Sequence, residues 1–181
     1  MQPLFINEEE KTVSFAELYD TYFDRVNRYL RYRVYNVWDA DDLTATVFTR
    51  ALEKYHLFRG EAPVAVWLFR ITHNAYVDYL RRRRRDLYSG PGPLDSEADG
   101  PLPEEEFLKA EEIARLRKML DLLAPDQKDV VSLRYAGELR FGQIARVLDK
   151  TEPAVRMIHH RALKALRAGL REEGEGFVRG R

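Results

Sequence analysis

The stretch DLYSGPGPLDSEADGPLPEEE at positions 86–106 constrains the fold of this chain more than any other. It holds four of the eight prolines, three of the ten glycines, and seven acids with no base. Such a segment has little to bury and repels itself, so it reads as a linker. It divides the 181 residues into an N-terminal unit, 1–85, and a C-terminal unit, 107–181.

Both units carry helical periodicity. Phe15, Leu18, Tyr22, Val26, Tyr29 and Leu30 recur at three- and four-residue steps, one apolar stripe of a helix. Leu43, Val47, Ala51, Leu52 and Tyr55 mark a second helix, with Asp39, Asp41 and Asp42 near the positive end of its dipole. RGEAP at 59–63 breaks the pattern, and Val64, Trp67, Leu68, Ile71 and Ala75 then begin a third helix, in which Trp67 reads as core. Beyond the linker, Ile113, Leu116, Leu120 and Leu123 give a helix stopped near Ala124–Pro125. Val130, Val131 and Leu133 lie on a short one, and Phe141, Ile144, Ala145, Val147 and Leu148 on the next. A long helix starts at Glu152, with Pro153 in its first turn, where the amide groups have no intrahelical partner. No alternating strand pattern is present, so the expected fold is all-α: two small helical domains joined by an acidic Pro/Gly-rich linker.

Charge narrows the function. Thirty bases balance thirty acids, yet they are segregated along the chain. Arg81, Arg82, Arg83, Arg84 and Arg85 stand immediately before the acidic stretch, and positions 140–171 hold eight Lys or Arg against Asp149 and Glu152. Two basic zones separated by an acidic strip keep their own local fields although the total cancels. There is no cysteine, and the four histidines are scattered except for His159 and His160. Adjacent helical residues point about 100° apart, so these two are not the i, i+4 pair of a zinc helix. Neither a metal nor a cofactor is expected. An enzyme would need a converging set of ligand-spaced His and Asp or a Gly-rich phosphate loop, and neither occurs, so no catalysis is expected. No apolar run approaches the ~18 residues of a membrane span, and the acidic start is unlike a signal peptide; the expected location is cytoplasmic.

The segment FGQIARVLDKTEPAVRMIHHRALKALR has the layout of a helix-turn-helix. Ile144, Ala145 and Leu148 pack its first helix, and Val155, Ile158 and Ala162 hold the second against it. Groove entry uses the early turns of the second helix, which favours Glu152, Arg156, Met157 and His160 for base edges, with His159 on the same outward side. Arg161, Lys164 and Arg167 fall farther along, where phosphates are touched. In the N-terminal unit, Arg70, Asn74 and Asp78 form a polar stripe at four-residue steps leading to the arginine run. A helix distributes five consecutive arginines all round, which suits phosphates better than a packed interface. A stand-alone helix-turn-helix regulator would account for the C-terminal basic zone but leave this arginine run idle.

The order FAELYDTYFDRVNRYL, DADDLTATVFTRALEKYHLF, VWLFRITHNAYVDYLRRRRR, acidic linker, then LDLLAPDQKDVVSLRYAGELRFGQIARVLDKTEPAVRMIHHRALKALR resembles the extracytoplasmic-function (ECF) sigma factors of bacterial RNA polymerase. These are the sigma-70 relatives that keep only regions 2 and 4. The resemblance implies a promoter-recognition subunit whose partners are core polymerase, through the largest-subunit clamp helices and the flap, promoter DNA, and an anti-sigma factor. It implies that the helix carrying Asp41, Asp42 and Phe48 docks on core. It further implies that the loop 58–64 and Asn74 capture a flipped base of the −10 element, with Arg70 and the arginines 81–85 on the same DNA. Glu152 to Arg167 then correspond to the −35 reader. Where the family usually has glutamine this chain has Ala45, and its usual Gly-Thr is Pro153-Ala154.

Overall fold

The structure, a computed structural model, describes residues 14–89 and 104–179, with side chains over 14–86 and 113–170. Positions 90–103, most of the expected linker, lie outside the described residues. The described residues form seven helices and no strand: α1 (Phe15–Arg33), α2 (Val37–Tyr55), α3 (Val64–Ser89), α4 (Glu104–Asp121), α5 (Pro125–Tyr135), α6 (Phe141–Leu148) and α7 (Glu152–Arg179). The described residues are all-α, as the periodicity predicts.

Helix starts are written in side-chain chemistry. Ser14 Oγ accepts from the Glu17 amide at 3.2 Å while the Glu17 carboxylate accepts from the Ser14 amide at 2.7 Å, a reciprocal box that satisfies two orphan donors of α1. Asn36 caps α2 by accepting from the Asp39 amide at 3.1 Å. Pro125 opens α5 in its first turn. α6 ends at Asp149, whose φ of 54° is the left-handed cap, and Lys150 then donates its amide to the Ala145 carbonyl at 2.9 Å. Thr151 Oγ1 accepts from the Ala154 amide at 3.3 Å and starts α7. The turn between α6 and α7 is therefore short and locally determined.

Leu18, Val26, Tyr29 and Leu30 of α1, Leu43, Val47, Phe48 and Ala51 of α2, and Leu68, Phe69 and Ala75 of α3 build the first core. Tyr29 and Phe69 meet edge to face at 6.0 Å, a geometry that adds about 0.5–1.5 kcal/mol to simple burial. In the C-terminal unit Ile144, Ala145, Val155 and Ala162 are buried and Leu148 and Ile158 half-buried, so α6 and α7 pack on the side the spacing selects. Leu52, placed on the apolar stripe of α2 by sequence, is instead 56% exposed.

The two units do not merely share a tether. Val130, Leu133, Leu139 and Ile144 belong to the same buried cluster as Tyr29 and Phe69. Gly137 permits that approach: a Cβ there would lie 2.8 Å from the Phe69 ring and 2.8 Å from the Leu133 carbonyl. Arginines then sew the seam. Arg117 of α4 donates to the carbonyls of Arg31, Val34 and Tyr35 at the end of α1, at 2.9, 2.7 and 2.8 Å. Arg25 and Arg28 of α1 donate to the carbonyls of Gly137 and Ala136 just beyond α5, at 3.0 and 3.2 Å. Each group meets the negative end of a helix dipole, where the last carbonyls lack partners. Arg33 and Asp129 complete the seam as an ion pair at 2.6 Å, with side chains 6% and 19% exposed.

Candidate nucleic-acid interface

Three surfaces carry the residues that sequence singles out. The first is a cleft where the loop after α2 meets the start of α3. Gly60, at φ 70°, turns the loop, and Pro63 accepts the amides of Val66 and Trp67 with its carbonyl. The loop thus folds back onto an aromatic cluster: Phe58 and Trp67 lie 5.1 Å apart, and Tyr55 stacks on Phe58 at 6.4 Å. The cleft above them measures about 390 Å³ and is edged by Arg59, Glu61, Arg70 and Arg146. That volume lies within the ~300–1,000 Å³ of ligand pockets. An aromatic floor with guanidinium groups at the rim suits an unpaired base stacked on a ring with its phosphate beside it. Trp67 is therefore part of a cleft wall and not simply core, and Arg146 enters from the other unit. Spacing alone places Trp67 on the apolar stripe and Arg146 on the solvated side of a short helix.

Asn74 is exposed one turn beyond Arg70, on the α3 face that leads away from the cleft. Asp78, next along the stripe, lies between Arg50 at 3.5 Å and Arg81 at 3.8 Å. Arg82, Arg84 and Arg85 are exposed, whereas Arg83 donates to the Tyr79 hydroxyl at 3.1 Å, which in turn donates to Asp39 at 2.7 Å. Burial, followed by the Asp39 hydrogen bond, raises the Tyr79 phenol above its ordinary range, so it remains a donor. The arginine run thus offers several outward charges and one that braces α3 against α2.

The second surface is the exposed side of α7. Met157, His160, Arg161, Lys164 and Arg167 are exposed on it. Arg156 is held in place, its Nε donating to Glu152 at 3.0 Å and its guanidinium 4.7 Å above the Phe141 ring. Glu152 is thereby engaged with Arg156 and lies close over Gly142. His159 corrects the sequence expectation. Its Nε2 pairs with the Tyr135 hydroxyl at 3.0 Å, and its ring packs on Tyr135 and Phe141, 5.7 and 5.0 Å between centroids. Burial, then Arg134 and His160, hold the imidazole below its usual pKa, and the ring braces α7 against α5 and α6.

The third surface is the outer side of α2. Phe48 does not belong to it: it is 5% exposed and packs on Tyr19 and Phe23 at 4.8 and 5.9 Å, leaving no face for a partner. Asp41 is committed as well, receiving Arg31 Nη2 on both oxygens at 3.0 Å and Asn27 at 3.0 Å. Asp42 stays outward, between Trp38 and Leu52, which are 69% and 56% exposed. Trp38, Asp42, Ala45, Thr49 and Leu52 are all exposed and recur at steps of four, three, four and three. That is the seam spacing of a helix that meets another helix. The same spacing in the sequence was obscured because the inward stripe has the stronger apolar signal.

The chain matches the sigma-70 region 2 family over residues 18–86 and the sigma-70 region 4 family over residues 119–168. ECF RNA polymerase sigma factor SigX of Bacillus subtilis is 30% identical over 168 residues, covering 88% of this chain and 87% of SigX. This chain is an ECF sigma factor. BldN of Streptomyces coelicolor, of the same family, is 34% identical over 155 residues, and there the match spans 84% of this chain but 59% of BldN. The fold recurs in the structure of CnrH in complex with the cytosolic domain of CnrY, at a TM-score of 0.67 and 22% identity over 92% of this chain and 96% of CnrH. In this sigma factor the cleft lies in region 2 except for Arg146, which belongs to region 4; the exposed side of α7 is in region 4, and α2 is in region 2.

Proposed function

We propose that this sigma factor docks on core polymerase through the outer seam of α2, captures an unpaired −10 base at the cleft and α3, and reads the −35 element with α7. The observation that carries this reading is the aromatic-floored cleft, with Asn74 and the arginine run continuing from it along one helix. A duplex-only regulator has no use for such a cleft, because stacking platforms serve unpaired bases. Asn74 offers an amide to a base edge, Arg70 and the outward arginines offer phosphate contacts, and the α7 residues Arg156, Met157 and His160 reach toward base edges. Arg161, Lys164 and Arg167 take phosphates on the same side. The units 1–85 and 107–181, joined by the acidic stretch, divide these tasks between them.

The chain supplies binding and positioning, with no chemistry of its own. Its place of action is the cytoplasm, where core polymerase works, and among the described residues no helix is long and apolar enough to cross a membrane. RpoE of Bartonella quintana, which shares the fold at a TM-score of 0.67 and 18% identity, was solved in complex with the anti-sigma factor NepR. An anti-sigma partner for this chain is part of the proposal.

Retention of promoter DNA by the chain alone, by core, and by both together tests the reading. The proposal expects promoter-specific retention with both together and little with either alone. Tight, sequence-specific duplex binding by the chain alone, unaltered by core, would refute it.

A further inference from the structure

We propose that a second cleft, walled by the end of α1, the later turns of α3, α4 and the start of α5, binds a free nucleoside triphosphate, with the base on Tyr35 and the phosphates on Arg83, Arg117 and Lys128. This cleft measures about 400 Å³ and shares no lining residue with the aromatic-floored one. Its volume falls in the ~300–1,000 Å³ range of small-molecule sites. It rests on no promoter contact, so its failure would leave the function proposed above untouched.

Charge in this cleft is one-sided. Arg33, Arg83, Arg117 and Lys128 line it against one carboxylate, Asp121. Arg33 is matched by Asp129 and Lys128 by Asp121, at 2.6 Å each. Arg117 is different: among the described residues its hydrogen-bond partners are carbonyl oxygens alone. Those four bonds leave one of its five N–H groups for a ligand. Burial lowers the Arg117 pKa, so the guanidinium is a charge short of solvent that an entering phosphate would satisfy. Lys128 gives Asp121 one of its three hydrogens and keeps two.

Tyr35 supplies the platform. Its ring is 53% exposed yet pinned, with the hydroxyl donating to Asp121 and the Arg117 guanidinium 5.7 Å from the ring centroid. The Asp121 hydrogen bond, then burial and the Asp121 charge, push the phenol up to about 12, so it stays a neutral donor. A ring already fixed in place loses little freedom when a base stacks on it. Such stacking tolerates any base, so the phosphates carry the selectivity. Tyr35 and Arg83 come from the N-terminal unit, Arg117 and Lys128 from the C-terminal one. A ligand that touches both units raises the melting temperature as its concentration rises.

Fluorescence anisotropy of ribose-labelled ATP, titrated with the full chain at fixed salt, tests the site. Saturable binding is expected, with ATP displacing the probe and adenosine or tripolyphosphate doing so roughly tenfold less well, because each keeps only half of the recognition. Tyr35→Ala and Lys128→Gln should each weaken binding roughly fivefold or more, while Tyr35→Phe, which keeps the ring, stays within about twofold of the parent. No saturation overturns the proposal, as does displacement by adenosine or by tripolyphosphate that equals displacement by ATP. Binding lost with Trp67→Ala and unchanged with Tyr35→Ala would put the nucleotide in the other cleft and refute this one. A single-stranded 12-mer that binds more tightly than ATP, and loses that advantage with Tyr35→Ala, would assign the cleft to a strand and overturn the free ligand. If Tyr35→Ala melts early, photolabelling of the parent with 8-azido-ATP decides. Label on the peptides that carry Tyr35 or Lys128 supports the site, and label confined to other peptides refutes it.

Discussion

Asn74 is exposed on α3 one turn past Arg70, with no bulky neighbour needed to explain a polar amide there. If it pairs with an extruded base, Asn74→Ala lowers open-complex formation by about 1–3 kcal/mol, roughly 5- to 150-fold, with core affinity unchanged. Permanganate footprinting of the melted region reads this directly, and equal footprints would remove Asn74 from the interface. At this scale the sequence was partly legible. Outward polar residues on a helix follow from period alone, which is why Asn74, His160 and Lys164 were found where they are exposed. Period does not reveal which polar residue has a local partner. His159 looks like its neighbour His160 in sequence, and only Tyr135, twenty-four positions back, shows that it is a buttress. The resemblance puts Phe48 on the docking helix, and nothing in the sequence singles out Trp38, for the same reason in reverse. An aromatic in a short helical repeat falls on either side, and the inner position of Phe48 is set by Tyr19 and Phe23 of α1.

At the scale of elements, α2 presents an outer seam whose acid and apolar ends have no role in the core. Asp42→Lys and Trp38→Ala should each weaken core binding by tenfold or more, while melting temperature moves little because both residues are exposed. Titration of labelled chain with core, alongside thermal melts, separates docking from stability; a lowered melting temperature with unchanged core affinity would make α2 purely structural. α3 carries a different signature. Replacing Arg82, Arg84 and Arg85 with Gln should weaken all promoters alike and make the slope of log affinity against log salt shallower by nearly one unit per lost phosphate contact. Holoenzyme binding to several promoters over a salt series checks this, and a promoter-selective loss would indicate base contacts instead. Helix existence was well encoded, since caps such as Ser14 with Glu17 and breakers such as Pro125 act within four residues. Helix extent was less so: α3 runs on to Ser89 and α4 begins at Glu104, both inside the acidic stretch, where composition outweighed local propensity in the reading.

For the whole molecule, the packing of the two units was not legible at all. The acidic, proline-rich stretch argues for separation, and the seam that opposes it is built largely from arginines on backbone carbonyls, which leave no pattern in sequence. A polar cluster at that seam predicts a pH dependence of stability. His73 Nδ1 meets the Tyr29 hydroxyl at 3.2 Å, near Arg33, Asp129 and Tyr76. Burial lowers the His73 pKa, Asp129 opposes this, and Arg33 adds to it. A histidine depressed in the folded state contributes stability that is complete above its unfolded pKa of about 6.5 and is lost as pH falls toward and through the folded value. Melting temperature should therefore drop between about pH 7 and 5, and His73→Gln should flatten part of that drop; an identical pH profile for His73→Gln would exclude this histidine as the source. The central claim, that this chain confers promoter recognition on a polymerase it does not itself resemble, is tested most directly by run-off transcription on a genomic promoter pool with core enzyme. The account predicts discrete transcript starts that need both the chain and core and that fade with Asn74→Ala or Asp42→Lys. Transcript patterns identical with and without the chain, from core it demonstrably fails to bind, would contradict it.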